Sequence, residues 1–452
     1  LATDRSSQPA AGAPAVASHA GLRTGTIVRF HLPLAVTFLS YGIVFNIINS
    51  AMSKTSDAAI ALAAFAVGQS IVDLFAGPAG SGNQWLIARG RDRRSFVVGA
   101  RVMLEIAVVV TSLLTIVAFT PVGPWLFHGV FGAPERLSAQ IAAVIKFALP
   151  MPFLWAWRNM SQSVLMLRRQ TQFLSVGVFM RLGFVSLLSM VLSGGQATFE
   201  GASVGALLWV GGMTLEAAFL FAMASRSFRA LPGEPATGVL PTRAQVYKFL
   251  LPLMATGLMW AVSRPLANAA MGRTPNPEGA IAAFQVGWFV SFLLVALQVE
   301  FRQVLVVFWT DRQSLGALRR WGMGLSFVLS GLTVLLGVAG AASWFMRSVL
   351  GTPEDLIGPA NLVFIGSALG PVLWMITELQ VGQMLRNGTT GIIGVAKTAN
   401  LIVMAVTVFA LVALSPGLGA LIGVSGYISG AAAEAGVVTW VARKTSAEPA
   451  ER

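Results

Sequence analysis

Along this chain, apolar residues gather in stretches of about 20 or more, long enough to cross the hydrocarbon core as helices. Short segments rich in charge and turn residues separate them. The pattern predicts twelve membrane-spanning helices, at 27–52, 57–88, 96–120, 138–167, 171–194 and 200–225, then 246–272, 279–310, 319–345, 356–385, 390–414 and 418–442. Several exceed the length a bilayer requires, so tilts or breaks within them are expected. Open strands are excluded because their backbone groups would lack partners in lipid. The expected fold class is an all-α integral membrane protein.

The pattern is also written twice. Residues 27–68 align without a gap onto 246–287: Phe30-His31-Leu32-Pro33-Leu34 returns as Phe249-Leu250-Leu251-Pro252-Leu253. The same offset carries Asp92-Arg93-x-Ser95 onto Asp311-Arg312-x-Ser314, and Gly132-x-Pro134-Glu135 onto Gly351-x-Pro353-Glu354. A period of this length is no solenoid but a duplicated half-protein, the organisation of many transporters. With six helices in each half, both repeats start from the same side of the membrane and are parallel. The expected organisation is a disordered tail at 1–26, an N-lobe at 27–228, a linker at 229–245, a C-lobe at 246–442 and a second tail at 443–452.

Composition agrees: 55% of residues are hydrophobic and 11% charged, with a mean hydropathy of +0.73. The net charge of +13 has its origin in topology. Loops after even-numbered spans carry Arg89, Arg91, Arg93, Arg94, Arg168, Arg226, Arg229, Arg319, Arg320 and Arg386; the opposite loops carry only Lys54, Arg136, Arg273 and Arg347. By the positive-inside rule both termini are cytoplasmic and the location is the cytoplasmic membrane. Nucleic acid is not an expected partner; membrane lipid and a small substrate are, with the chain acting as a monomer. The absence of cysteine rules out disulfides and thiolate chemistry.

Enzyme signatures fail on context. Gly201-x-Ser203-x-Gly205 has the spacing of a nucleophile elbow, but lies in an apolar helical stretch where small residues serve packing. The three histidines, His19, His31 and His128, are scattered, and neither cofactor nor metal is implied. The better lead is charge inside the spans, which costs roughly 2.5–3.5 kcal/mol at the bilayer centre and marks a functional candidate. Asp73, Glu216, Glu434, Glu378, Glu300 and Arg302 are candidates for coupling-ion binding or gating. Allowing one residue of slippage, Glu216 and Glu434 fall at equivalent places in the sixth helix of each half, which favours inherited structure.

Arg264 is the leading candidate for substrate binding. It sits deep in the seventh span, within Ser263-Arg264-Pro265-Leu266-Ala267-Asn268, where proline removes an intrahelical hydrogen bond beside a buried cation. Its counterpart in the first span is Phe45, so arginine belongs to one half only. Asymmetry at a repeat-related position points to substrate chemistry. Arg158 in the fourth span is a second candidate cation, opposite Thr377. Asn46, Asn49, Gln69, Asn268 and Gln285, from spans one, two, seven and eight, complete a polar lining if those spans face each other.

Ser263-Arg264-Pro265-x-x-Asn268-x-x-x-x-Arg273, together with Gly77-Pro78 followed by Arg91-Asp92-Arg93, closely resembles the progressive ankylosis protein family. That family is similar to the multidrug/oligosaccharidyl-lipid/polysaccharide (MOP) exporter superfamily, which the Phe-x-x-Pro-Leu opening of each half also resembles. The resemblance implies two six-helix lobes forming a V around a central cavity, and export of small anions such as citrate, nucleotides or pyrophosphate. Within the superfamily, a lipid-linked precursor flippase and a cation-coupled multidrug exporter are the rival expectations. Nothing in the chain resembles an ATP-hydrolysing domain.

Overall fold

The computed structural model describes residues 24–77, 82–168, 170, 172–194, 201–235, 239–298, 301–309, 312–386 and 391–447. The first half comprises α1 (Thr24–Ser53), α2 (Ala58–Ala76), α3 (Gly82–Arg89), α4 (Arg93–Phe119), α5 (Val122–Trp125), α6 (Glu135–Ala148), α7 (Met151–Leu167), α8 (Gln172–Gly194) and α9 (Gly201–Arg229). The second repeats this order as α10 (Arg243–Met271), α11 (Pro277–Val295), α12 (Phe301–Phe308), α13 (Arg312–Val338), α14 (Ala341–Trp344), α15 (Glu354–Gly366), α16 (Gly370–Arg386), α17 (Gly391–Leu414) and α18 (Ala420–Ala447). Among the described residues ten helical segments are long and apolar enough to span a bilayer. With α1 at 30 residues and α10 at 29, each half has six spans.

The expected breaks occur in the second and fourth spans of both halves. The second span is recorded as α2 and α3, with residues 78–81 between them outside the described ones, and its counterpart leaves the helix at 296–298 between α11 and α12; the fourth divides into α6 and α7, mirrored by α15 and α16. Pro150 initiates α7, where its ring ends the hydrogen-bond ladder of α6. The first turns of α5 and α14 each run on into one π-helical turn, Leu126–Val130 and Phe345–Val349. By contrast α10 passes through Pro265 without interruption.

Several boundaries move outward from those read in the sequence. Helix α1 begins at Thr24, inside the expected tail, whose residues 1–23 lie outside the described ones. Helix α10 begins at Arg243 because Thr242 and Gln245 form a capping box. Helix α18 continues to Ala447. Polar residues extend these helices beyond the apolar pattern, since caps and backbone bonding do not require hydrophobicity. The Asp92 side chain accepts from the Ser95 amide at 2.8 Å, capping α4 as the repeated Asp-x-x-Ser pattern suggests; its counterpart Asp311 lies outside the described residues.

Small residues let the core helices approach closely. Helix α2 is buried along most of its length, with Ala58, Ala61, Ala63, Ala64, Ala66 and Gly68 among the enclosed positions. A side chain at Gly68 would collide with Val144 of α6, and one at the repeat-related Gly287 with Ala360 of α15. The Gly201-x-Ser203-x-Gly205 segment is helical, and its glycines pack on Ala61 and Met52. Outward-facing side chains such as Leu187, Met190, Val191, Val338 and Leu414 form an apolar belt suited to lipid.

Candidate functional site

The two lobes meet along α1, α2, α10 and α11, the four helices expected to face one another. Their contacts obey the duplication. Asn268 of α10 donates to the Ala66 carbonyl and the Ser70 hydroxyl of α2, both at 3.2 Å. Its counterpart, Asn49 of α1, accepts from Gln285 of α11 at 3.4 Å, and Gln285 is the counterpart of Ala66. Asn46 donates to the Phe289 carbonyl at 2.9 Å, again across the lobes. Asn46, Asn49, Gln69 and Asn268 are all buried, and each retains one polar atom without a partner among the described residues. Such atoms favour a ligand that hydrogen-bonds.

The symmetry fails where chemistry was expected. Arg264 donates to Gln285, and its guanidinium carbon lies 5.1 Å from the centre of the Phe289 ring. Phe45, standing where the N-lobe would have its own Arg264, stacks on that same Phe289 at 4.6 Å. A cation–aromatic contact contributes about 0.5–2 kcal/mol, less than the several kcal/mol needed to desolvate a guanidinium. The charge of Arg264 therefore draws on further polar neighbours. Asp73 of α2 and Tyr427 of α18 stand within electrostatic range of it. Ser263 is half-buried and Pro265 buried beside it.

Tyr427 was not singled out in the sequence, yet it packs 4.4 Å from Trp288 and 5.9 Å from Phe284. A signal was present. The chain has three tyrosines, and each stands beside charged groups: Tyr41 with Arg158 and Arg181, Tyr247 with Glu105, and Tyr427 with Arg264. A scarce phenol in an apolar helix needs a polar partner.

Arg158 and Glu216, assigned separate roles from sequence, form one cluster. Arg158 Nε donates to Glu216 at 2.6 Å, and Arg181 Nη1 lies 2.8 Å from the same carboxylate. In the C-lobe, Lys397 Nζ and Asn400 Nδ2 each donate to Glu434 at 2.8 Å. Both sixth-helix glutamates are thus held by the fifth helix of their own lobe. Glu378 is buried on α16. Glu300 lies outside the described residues, as does the side chain of Arg302 on α12.

On the face carrying the α1–α2 and α10–α11 loops, the lobes are closed by the repeated glycine turns. Gly132 and Gly351 adopt φ of 61° and 65°, which glycine tolerates best. Gly132 abuts Arg273 of the opposite lobe, and Gly351 abuts Lys54, the counterpart of Arg273. Arg273 donates to the Gly129 carbonyl at 3.1 Å, and Ser50 to the Val349 carbonyl at 3.4 Å. Arg136 pairs through two hydrogen bonds with Glu278. On the arginine-rich face, Glu105 of α4 pairs with Arg243 at 2.8 Å and accepts from the Tyr247 hydroxyl at 2.9 Å, both on α10.

No protein-family model matches the chain, and no curated protein matches its sequence. Its architecture does match solved structures. An inward-facing multidrug-resistance transporter of the MATE family, within the MOP superfamily, superposes with a TM-score of 0.68 at 14% identity, over 94% of this chain and 99% of that one. The fold is that of the MOP exporters. The lipid II flippase MurJ in an inward closed conformation matches with a TM-score of 0.67 at 11% identity, over 91% of this chain and 87% of the other. A MOP-superfamily transporter from Pyrococcus furiosus, whose binding pocket is described as reversed in polarity, gives 0.63 at 14% identity, over 93% and 95%.

Proposed function

We propose that this chain is an alternating-access transporter that exports small organic or phosphorylated anions, of the citrate, nucleotide or pyrophosphate class, between its two lobes. The observation that carries the reading is Arg264: a cation placed at the lobe interface by one half only, held by an amide and an aromatic ring. Gln285, which Arg264 bonds, is tied in turn to Asn49; Asn46 and Asn268 hydrogen-bond across the same lobe interface, and Asp73 tunes the field at Arg264. Arg158 belongs to a separate cluster and does not contribute to this pocket. The resemblance of the Ser263–Arg273 segment to the progressive ankylosis family supports the anion class. The arginine-rich face lies in the cytoplasm with both termini, and the glycine-turn face is external. Transport runs on an ion gradient or on the gradient of the cargo.

In proteoliposomes loaded with labelled citrate or pyrophosphate, Arg264→Ala is expected to abolish flux while the variant elutes and melts as the parent does. Undiminished flux in that variant refutes the reading. The fold shared with a lipid II flippase favours a second reading, a lipid-linked precursor as cargo. Arg264-dependent movement of such a lipid, with free citrate and pyrophosphate immobile, would establish it in place of the first. Flux of cationic drugs that needs Asp73 and not Arg264 would point to the multidrug class.

A further inference from the structure

A second cationic centre lies in the N-lobe. Arg158 on α7 and Arg181 on α8 converge on one carboxylate, Glu216 on α9. Arg158 uses all three of its nitrogens: Nε to Glu216 at 2.6 Å, Nη2 to the Tyr41 hydroxyl at 2.6 Å and Nη1 to Gln162 at 3.2 Å. Arg181 does not. Only its Nη1 meets Glu216, while Nε and Nη2, the edge that grips a carboxylate or similar oxyanion in two parallel bonds, have no hydrogen-bond partner among the described residues. Arg181 is 4% exposed, so bulk water does not screen it. Its guanidinium carbon is 4.3 Å from the Tyr41 ring centre.

The duplication supplies an internal control. Glu434, the C-lobe counterpart of Glu216 once one residue of slippage is allowed, faces one cation among the described residues, Lys397. Adding 219 to Arg181 gives Asn400, a neutral donor to the same carboxylate, and adding it to Arg158 gives Thr377. Among the described residues the ion pairing of the C-lobe glutamate thus balances, one lysine against Glu434. Among the described residues the N-lobe cluster sets two arginines against one glutamate, an excess of one positive charge. An uncompensated buried charge is costly, and nothing in helix packing requires it. Arg158 keeps 15% of its side chain exposed.

We propose that Arg181, with Arg158 and Tyr41, forms a binding site for one small singly charged anion, separate from the Arg264 pocket. The shared chemistry is a compact monovalent acceptor, whose source is either free inorganic anion or one acid group of a cargo; the resident is the free anion. Full-length protein purified in gluconate would be titrated with chloride or nitrate at constant ionic strength, and its thermal unfolding followed. The expected result is saturable stabilisation that gluconate does not reproduce. Arg181→Gln, which gives the N-lobe the balanced charge of the C-lobe, should lose the response. Glu216→Gln, which removes the competing carboxylate, should tighten the anion's midpoint by about tenfold, and would report even if Arg181→Gln failed to fold.

Arg264→Ala should keep the response, so failure here is distinguishable from failure of the transport reading. No saturable anion effect in the parent, or an equal effect in Arg181→Gln, overturns the proposal. Stabilisation through Arg181 by citrate or pyrophosphate, with chloride and nitrate inert, assigns the site to an acid group of the cargo and overturns the resident anion.

Discussion

Gly272→Ala should open the glycine-turn face without harming either lobe. Gly272 caps α10 with φ −62° and ψ −14°, a right-handed helical conformation in which alanine is unstrained. Yet a Cβ there would lie 2.1 Å from the Phe131 carbonyl oxygen of the opposite lobe and 3.1 Å from the Gly132 carbonyl carbon. Ordinary contact begins near 3.4 Å, so the lobes must part by about 1 Å, and overpacking of this kind costs about 1–3 kcal/mol. The clash exists only when this face is closed. The whole cost therefore falls on one conformation, and the closed-to-open ratio should drop roughly 5- to 150-fold.

The chain has no cysteine, so a single reporter thiol has no background. Ser53, the counterpart of Gly272, is 7% exposed at the mirror-related junction; Ser53→Cys places a thiol of nearly the same size there. In detergent, a bulky maleimide should label Ser53→Cys faster by that factor when Gly272→Ala is added, with the melting temperature little changed. Unaltered labelling would refute the wedge argument. So would a large loss of melting temperature without faster labelling, because the clash would then lie within the fold instead of between conformations.

Two further outcomes test the packing and the inherited charge pair. Gly287→Ala places its Cβ 2.3 Å from a backbone oxygen of α15, whereas Gly68→Ala meets the Val144 side chain at 2.7 Å; Gly287→Ala should lie nearer the upper end of the overpacking range of about 1–3 kcal/mol, and thermal unfolding that ranks the two the other way contradicts the geometry. Glu434→Gln strands the partly buried Lys397 and should cost about 3–5 kcal/mol. Adding Lys397→Met should restore much of that melting temperature, and a double variant as unstable as the single one would show that the pair is not the source.

The candidate site divides along a clear line. Arg264 was singled out because the duplication marks where one half departs from the other, whereas Asn49 and Asn268 stand at matching offsets and drew attention as amides in apolar spans. The repeated glycine turns read as shared scaffold, but they close one lobe against the other, and conserved offset alone does not reveal which lobe a turn touches. The role of Arg158 was hidden for a similar reason. Its partner Glu216 lies 58 positions away, and only the rotation of α7 and α9 decides that the two side chains meet.

What the amino-acid order determined by itself was whatever depends on runs and offsets: six spans per half, parallel repeats, the Asp92 cap, and the candidacy of a lone arginine opposite Phe45. Apolar length and repeat register are properties of neighbours along the chain, and the bilayer converts them directly into helices. Tertiary structure alone decided the charge arithmetic. Whether a buried cation is paired, shared or in surplus depends on which helix faces bring distant carboxylates within a few ångströms. That is how two arginines came to share Glu216, how Tyr427 came to stand beside Arg264, and how one lobe kept a positive charge that its twin does not have.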